Sequence, residues 1–221
     1  MTETVKRTYS SALRAEQART TRRAIVAAAA ELFVRDGYGA TTVDAIARAA
    51  GVSRKTVFTS VGGKVEALKL ARDWAIVGDD EPIPMLERPA IKAAYAEKDA
   101  RKVIAAYVQN YLESAGRVAP IHHVIESAAG LDDDVQALSV EGWEQRRFGM
   151  GKFAEQLDNL DALRDDLTVD TAGDIMWHYN DPETYYKFVI KRGWPVDQFA
   201  DWLRRTLTDQ LIRKGYRPAK Q

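Results

Sequence analysis

From Ile25 onward the apolar residues return at intervals of three and four, and that spacing holds almost to the end of the chain. Such a period places side chains along one face of an α-helix, whereas a half-buried strand alternates at every second residue. Alternating β-branched runs are absent, so the expected fold is all-α. The 221 residues can bury one large core or two smaller ones, and with no cysteine neither rests on a disulfide. A thiolate metal site and a thiol redox role are excluded. No apolar run reaches the roughly 18 residues of a membrane span, and the first twenty residues have no apolar stretch of signal-peptide type. A cytoplasmic protein without a membrane partner is the expectation.

Turn and cap residues divide the first third closely. Ile25, Ala28, Ala29, Leu32 and Phe33 form one stripe of a helix expected from about Glu16 to Arg35, ended by Asp36-Gly37. Arg19, Arg22 and Arg23 project away from that stripe. Thr42 caps a short helix with Asp44 in its first turn, Gly51 stops it, and Ser53 caps a second that runs to Ser60. Gly62-Gly63 breaks the chain again, and Lys64 begins a longer helix through Trp74. The stretch 78–89, with three prolines, reads as a surface connection. Beyond it helices are expected near 90–97, 100–115, 120–129, 133–157, 168–179, 182–192 and 196–214.

Two short helices joined at Gly51 fit a helix-turn-helix. Its first helix needs a small residue at the crossing, its turn a residue tolerant of positive φ, and its second helix an inward apolar residue. Ala47, Gly51 and Val57 meet these needs at the spacing Ala-x3-Gly-x5-Val, with Ile46 and Val52 adding to the small core. With Val57 inward, the second helix turns Arg54, Lys55, Thr56, Phe58 and Thr59 outward. Cations for guanine edges or phosphates, hydroxyls for polar edges and an aromatic for methyl packing are what a helix entering a major groove requires. The N–H groups near Thr42 and the ammonium of Lys64 can hold phosphate oxygens. Charge agrees: residues 1–64 carry eleven Lys and Arg against five Asp and Glu, and since the chain is neutral the remainder is acidic by six. A basic module that meets a polyanion, attached to an acidic body that does not, accounts for this division. A nucleotide-phosphate cradle at Gly62-Gly63-Lys64 is unlike the sequence, because Phe58 stands at its first glycine position, Val65 at its hydroxyl, and no strand precedes it.

The residues TTVDAIARAAGVSRKTVF, with Lys64 following, resemble the N-terminal module of the TetR-type transcriptional regulators. The pattern there is Thr-x3-Ile-Ala-x2-Ala-Gly-Val-Ser-x2-Thr-Leu-Tyr, then His-Phe and Ser-Lys-Glu. The likeness runs in register over residues 20–70, about a quarter of the chain. Phe58 stands where Tyr is usual, Ser60 for His, Val61 for Phe, and Gly63 and Val65 flank the matching Lys64. Phe58 offers phosphate no hydroxyl, so the grip there falls to Thr59, Ser60 and Lys64. The resemblance implies a DNA-binding domain at 19–64 and a helical regulatory and dimerisation domain at 65–221; the basic extension at 1–18 before them is unusual in length. Lys6, Arg7 and Arg14 of the extension read either as an arm reaching a minor groove or the DNA backbone, or as a disordered solvated tail. The partners implied are a palindromic double-stranded DNA, a second copy of the chain and a small-molecule effector, with no cofactor. It also implies a four-helix interface between C-terminal helices of two chains. The stripe Phe199, Leu203 and Leu207, with Trp202, Thr206 and Gln210 at its border, is the expected contribution.

Gly142, Gly149 and Gly151 lie within one helical stretch, where each costs about 1 kcal/mol relative to alanine. They permit close helix crossings or leave room for a ligand. The candidate effector residues are Trp143, Phe148 and Met150 beside them, Tyr107, Tyr111 and His122 earlier, Met176 and Trp177 later, and Trp74 on the helix that leaves the reader. His122 and His123 point about 100 degrees apart on a helix and with Glu126 give two metal ligands at best, so no metal site is expected. A helical-bundle enzyme using these histidines or His178 is a competing reading with no nucleophile–base pairing behind it, and a DNA-binding protein without an inducer is another.

Overall fold

The computed structural model describes residues 2–218, with side chains from residue 13. Lys6 and Arg7 therefore have side chains outside the described residues. Among the described residues ten α-helices follow one another with no strand, only an isolated antiparallel bridge between Leu163 and Ile212. Helix α1 (Thr2–Ala40) starts well before the expected Glu16, so the backbone of the N-terminal extension is helical and continuous with the first reader helix. Gly37 (φ 82°) breaks α1 at the expected place; the chain turns there and brings Tyr38 back onto Phe33, ring centroids 5.9 Å apart.

Helices α2 (Val43–Ala49) and α3 (Arg54–Val61) form the helix-turn-helix. Each has the expected cap: Thr42 accepts from the Ala45 N–H at 3.1 Å, and Ser53 from that of Thr56 at 3.1 Å. Gly51, at φ 66°, makes the turn. Gly62, at φ 101°, ends α3, and Gly63 opens α4 (Lys64–Val77), its N–H donating to Glu66 at 2.7 Å. Ile25, Phe33, Ile46, Val57 and Leu68 are fully enclosed. Their core does not stop at Lys64: it continues into Ile121, Val124 and Ile125 of α6 (Ala100–Ala129) and Val135 and Leu138 of α7 (Asp133–Asn159).

A second core joins α6 and α7 to α5 (Pro89–Ala96), α8 (Val169–Tyr179), α9 (Pro182–Tyr185) and α10 (Val196–Leu211). Three differences from the expected elements stand out. The helices expected at 100–115 and 120–129 are one helix of 30 residues with Pro120 inside it. Proline removes one intrahelical bond, but Ala115, Val118, Ala119 and Ile121 around it are buried, and that packing keeps the helix continuous. The helix expected over 182–192 is the single turn α9 followed by a π-helical segment, Tyr186–Lys191. The wider turn accompanies the packing of Phe188 against both Trp194 and Trp202, at 4.7 and 5.0 Å.

The third concerns α10. Phe199, Leu203, Leu207 and Leu211 are all wholly enclosed by their own chain. Phe199, Leu203 and Leu207 were expected at an interface with a second copy. They are not available to one, because a four-residue stripe finds its apolar partners within the body first. Trp202 and Thr206 are half-buried and Gln210 is exposed at its border.

The connection between α4 and α5 runs over the surface, as its prolines suggest, but it is tied down. Arg19 and Arg23 of α1 both grip Asp80: their Nη2 atoms lie 2.7 and 2.5 Å from Oδ1 and their Nε atoms 2.8 and 2.9 Å from Oδ2. Arg19 also bonds Glu81. The two guanidinium groups hold the Asp80 carboxyl well below its ordinary range. Arg88 closes the connection onto Asp79 at 2.8 Å.

Candidate DNA-reading face and effector cavity

Local sequence builds the reading face. With Val57 and Val61 buried, helical geometry leaves Arg54, Lys55, Phe58 and Thr59 exposed and Thr56 and Ser60 half-buried along the outer side of α3. Phe58 is 46% exposed, unusual for a large apolar side chain, and the Arg54 guanidinium lies 5.5 Å from the centre of its ring. Arg54 also reaches Asp44 of α2 at 2.6 Å. Both partners of that ion pair are exposed, so it is worth less than about 1 kcal/mol and gives way easily to a base edge or a phosphate. The Ser53 and Thr56 hydroxyls bond each other at 2.8 Å, and Thr59 donates back to the Lys55 carbonyl at 3.0 Å, leaving its oxygen free to accept. Arg22 and Thr42 are exposed on α1 and at the start of α2.

Lys64 takes a different position from the one its spacing suggests. Its ammonium sits 3.8 Å from the centre of the Tyr38 ring, and burial there lowers its pKa. The Tyr38 hydroxyl donates to Asp132 at 3.1 Å, at the cap of α7. Lys64 thus takes part in the joint between reader and body.

That joint is held mainly by Arg72 of α4, whose side chain is only 5% exposed. It donates to the Leu138 carbonyl of α7 at 2.9 Å and to Asp73 at 2.7 and 2.9 Å, and beside it Lys69 pairs with Glu141 at 2.5 Å.

Behind the joint lies a cavity of about 590 Å³, within the range of about 300–1,000 Å³ that suits drug-sized ligands. Ile76 and Val77 of α4, Leu86, Ile91, Val118, Met150 and Phe153 supply apolar walls. Tyr107, Tyr111, His122 and Met150, all candidates from sequence, line it. A smaller pocket of about 350 Å³ adjoins it and takes in Trp143 and Trp177; His122 and Arg146 line both. Three candidates stand elsewhere. Met176 is fully enclosed in the body core, Phe148 points outward with 61% exposure, and Trp74 packs against the core shared by reader and body. On α7 the phase of the helix separates them: Phe148 falls on the opposite side from Gly142, Gly149 and Met150.

Both readings of the α7 glycines are realised. Gly142 and Gly149 line the large cavity, while Gly151 meets Gly173 of α8 so closely that a Cβ on Gly173 would stand 3.2 Å from the Gly151 Cα.

Arg146, Asp181 and Asn180 were not among the expected site residues. Asn180 donates to the Tyr107 hydroxyl at 2.8 Å and so turns it within the wall. Asp181 faces His122 at 3.4 Å and Arg146 at 3.3 Å. Burial pushes its carboxyl up, but the His122 hydrogen bond and the Arg146 charge outweigh that and hold it at about 2. Burial lowers the Arg146 pKa. A sequence signal for Arg146 did exist: Gly142, Arg146, Gly149, Met150 and Phe153 fall on one helical stripe. The adjacent Arg147 faces outward, to Asp170 and Asp174. His123 bonds Glu183 at 2.8 Å and stacks on Tyr186, and among the described residues no group of three or more His, Cys, Asp or Glu is placed to hold a metal. No helix there is long and apolar enough to cross a membrane.

A capped helix-turn-helix with an exposed basic face, mounted through one helix on a cavity-bearing helical body, has the architecture of a one-chain transcriptional regulator. Residues 25–66 match the model of the bacterial regulatory proteins of the tetR family. It is 46% identical over 55 residues to TtgW of Pseudomonas putida, an uncharacterised HTH-type transcriptional regulator; the match covers 25% of this chain and 41% of TtgW. The chain thus spans less than half of that curated relative. Among solved structures, NalD of Pseudomonas aeruginosa, the secondary repressor of the MexAB-OprM multidrug efflux pump, superposes with a TM-score of 0.70 at 18% identity, over 90% of this chain and all of that one. A SmeT–triclosan complex gives a TM-score of 0.68 at 15% identity, over 90% and 96% of the two chains.

Proposed function

We propose that this protein is a dimeric, ligand-responsive transcriptional repressor, released from a palindromic DNA operator by a small molecule. One observation carries the reading. Helix α4 has Ala67, Leu68 and Ala71 in the reader's core and Arg72, Ile76 and Val77 in the wall of the cavity. A ligand that fits the cavity only when α4 moves would shift the reader by differential binding, and two readers held at a fixed separation would then lose their register on the half-sites. The solved SmeT complex holds triclosan, which fits a family body able to enclose a small, mostly apolar molecule. Trp202, Thr206 and Gln210, accessible on α10, are proposed to border the contact between copies.

Selection of bound duplexes from a random pool by the full chain tests this. The expected result is a two-fold symmetric site whose affinity falls steeply with salt, and a slope of log affinity against log salt that is about one unit shallower per half-site in Lys55→Ala. Arg54→Ala should relax base preference at one position of each half-site. Recovery of no preferred sequence would refute the reading. A preferred site whose binding responds to no small molecule would leave a regulator without an inducer.

A further inference from the structure

We infer that the effector is an amphipathic anion, with an apolar tail in the large cavity and an acidic head, a carboxylate or phenolate, at Arg146 where the two pockets meet. This deepens the reading of the cavity as an effector site and rests on it.

Four buried side-chain nitrogen or oxygen atoms among the described residues have no hydrogen-bond partner: Arg88 Nε, Tyr95 Oη, Arg146 Nε and Trp177 Nε1. Three of these belong to residues that line the pockets, and all three are N–H donors. A buried donor left unpaired costs about 1–3 kcal/mol, so the site gains most from a molecule that brings acceptors.

Charge points the same way. The large cavity is lined by Arg72, Arg88, Arg117 and Arg146 against one carboxylate, Glu113. Arg72 is engaged by Asp73 and the Leu138 carbonyl, Arg88 by Asp79 through both terminal nitrogens, and Arg117 by the carbonyls of Ala75 and Glu113. Arg146 is the least satisfied of the four. It has one long contact, Nη2 to Asp181 at 3.3 Å, and its guanidinium lies 5.1 Å from the centre of the Trp177 ring. A carboxylate there would accept from Arg146 Nε and Trp177 Nε1. The acids of the smaller pocket do not supply those bonds, because Asp181 faces His122, Glu183 holds His123 and Glu126 accepts from Ser139 at 2.6 Å. An ammonium head would instead set a second cation beside the Arg146 guanidinium and leave its Nε and the Trp177 Nε1 unpaired.

The test uses the full chain without DNA, so that it stands apart from operator binding. Decanoate, 1-decanol and decyltrimethylammonium, each below its aggregation concentration, are titrated while the tryptophan fluorescence, to which Trp143 and Trp177 of the smaller pocket contribute, is followed. Decanoate should bind at least about tenfold tighter than either of the others. Arg146→Gln should bring decanoate to the level of the alcohol while leaving the alcohol within about twofold. Asp181→Asn, which removes the competing carboxylate and keeps an oxygen for the α9 cap, should tighten decanoate several-fold and leave the alcohol unchanged; a merely structural role would not produce that gain. Equal binding of alcohol and decanoate, or preference for the ammonium, overturns the anionic head and leaves the cavity as an apolar effector site. Binding of none of the three overturns both.

Discussion

The reader and the body are built from the same kind of helix, yet they differ in how completely they fill their interiors. Around Phe33, Ile46 and Val57 the reader closes into a small core with every short helix capped and no pocket residue among them. The body has larger hydrophobic residues at its disposal but leaves about 590 Å³ open and three N–H donors unpaired along the pocket walls. Under the proposed function, a surface that matches a groove gains from rigidity, whereas a body that takes up a molecule retains vacancy and unmade hydrogen bonds, at a cost in stability.

Substitutions sharpen that contrast. The largest effect is expected for Phe33→Ala, about 3–5 kcal/mol in urea denaturation, because a closed core cannot collapse onto the hole. Met150→Ala, on the wall of an existing cavity, should cost about 2 kcal/mol, the low end for such a truncation. Equal losses would mean that the cavity is not a standing void in solution. Next come the caps. Ser53→Ala in the reader and Thr168→Ala, which removes the cap of α8 (Thr171 N–H at 3.1 Å), should each lower stability by about 1 kcal/mol, with only the first weakening DNA binding beyond its effect on folding.

Gly149 of α7 and Gly173 of α8 separate the two uses of vacancy within the body itself. Gly149→Ala meets no atom within 4 Å and should raise stability by about 0.5–1 kcal/mol, at the expense of ligand affinity. Gly173→Ala forces its Cβ to 3.2 Å from the Gly151 backbone and should lower the melting temperature. The last expected signal is a pH effect. The Asp181 carboxyl stands at about 2 in the fold against an ordinary 3.8, so its contribution to stability is present above about pH 4 and lost as pH falls through 2. Denaturation midpoints measured over that window should decline less in Asp181→Asn.

The same contrast explains what could be read from the chain alone. Thr42, Gly51, Ser53 and Gly62 act on residues at most four positions away, so their roles follow from spacing. Of the expected reading residues on α3, Arg54, Lys55, Phe58 and Thr59 are accordingly exposed and Thr56 and Ser60 half-buried. In the body the decisive contacts are distant in sequence: Arg146 meets Asp181 across 35 residues and Arg72 meets Leu138 across 66. Periodicity marks Phe199, Leu203 and Leu207 as one stripe but does not say whose core receives it. Lys64 shows the limit on a small scale, since the Tyr38 ring that receives it is placed there by the kink at Gly37.

The clasp of Arg19 and Arg23 on Asp80 changes how the basic module meets a polyelectrolyte. Asp80 serves the two arginines as a covalently tethered counterion. Phosphates approaching α1 would find these two charges partly compensated, by an anion that cannot diffuse away and so contributes no mixing entropy when displaced. In the proposed DNA complex the number of ions released is therefore smaller than the inventory of cationic side chains.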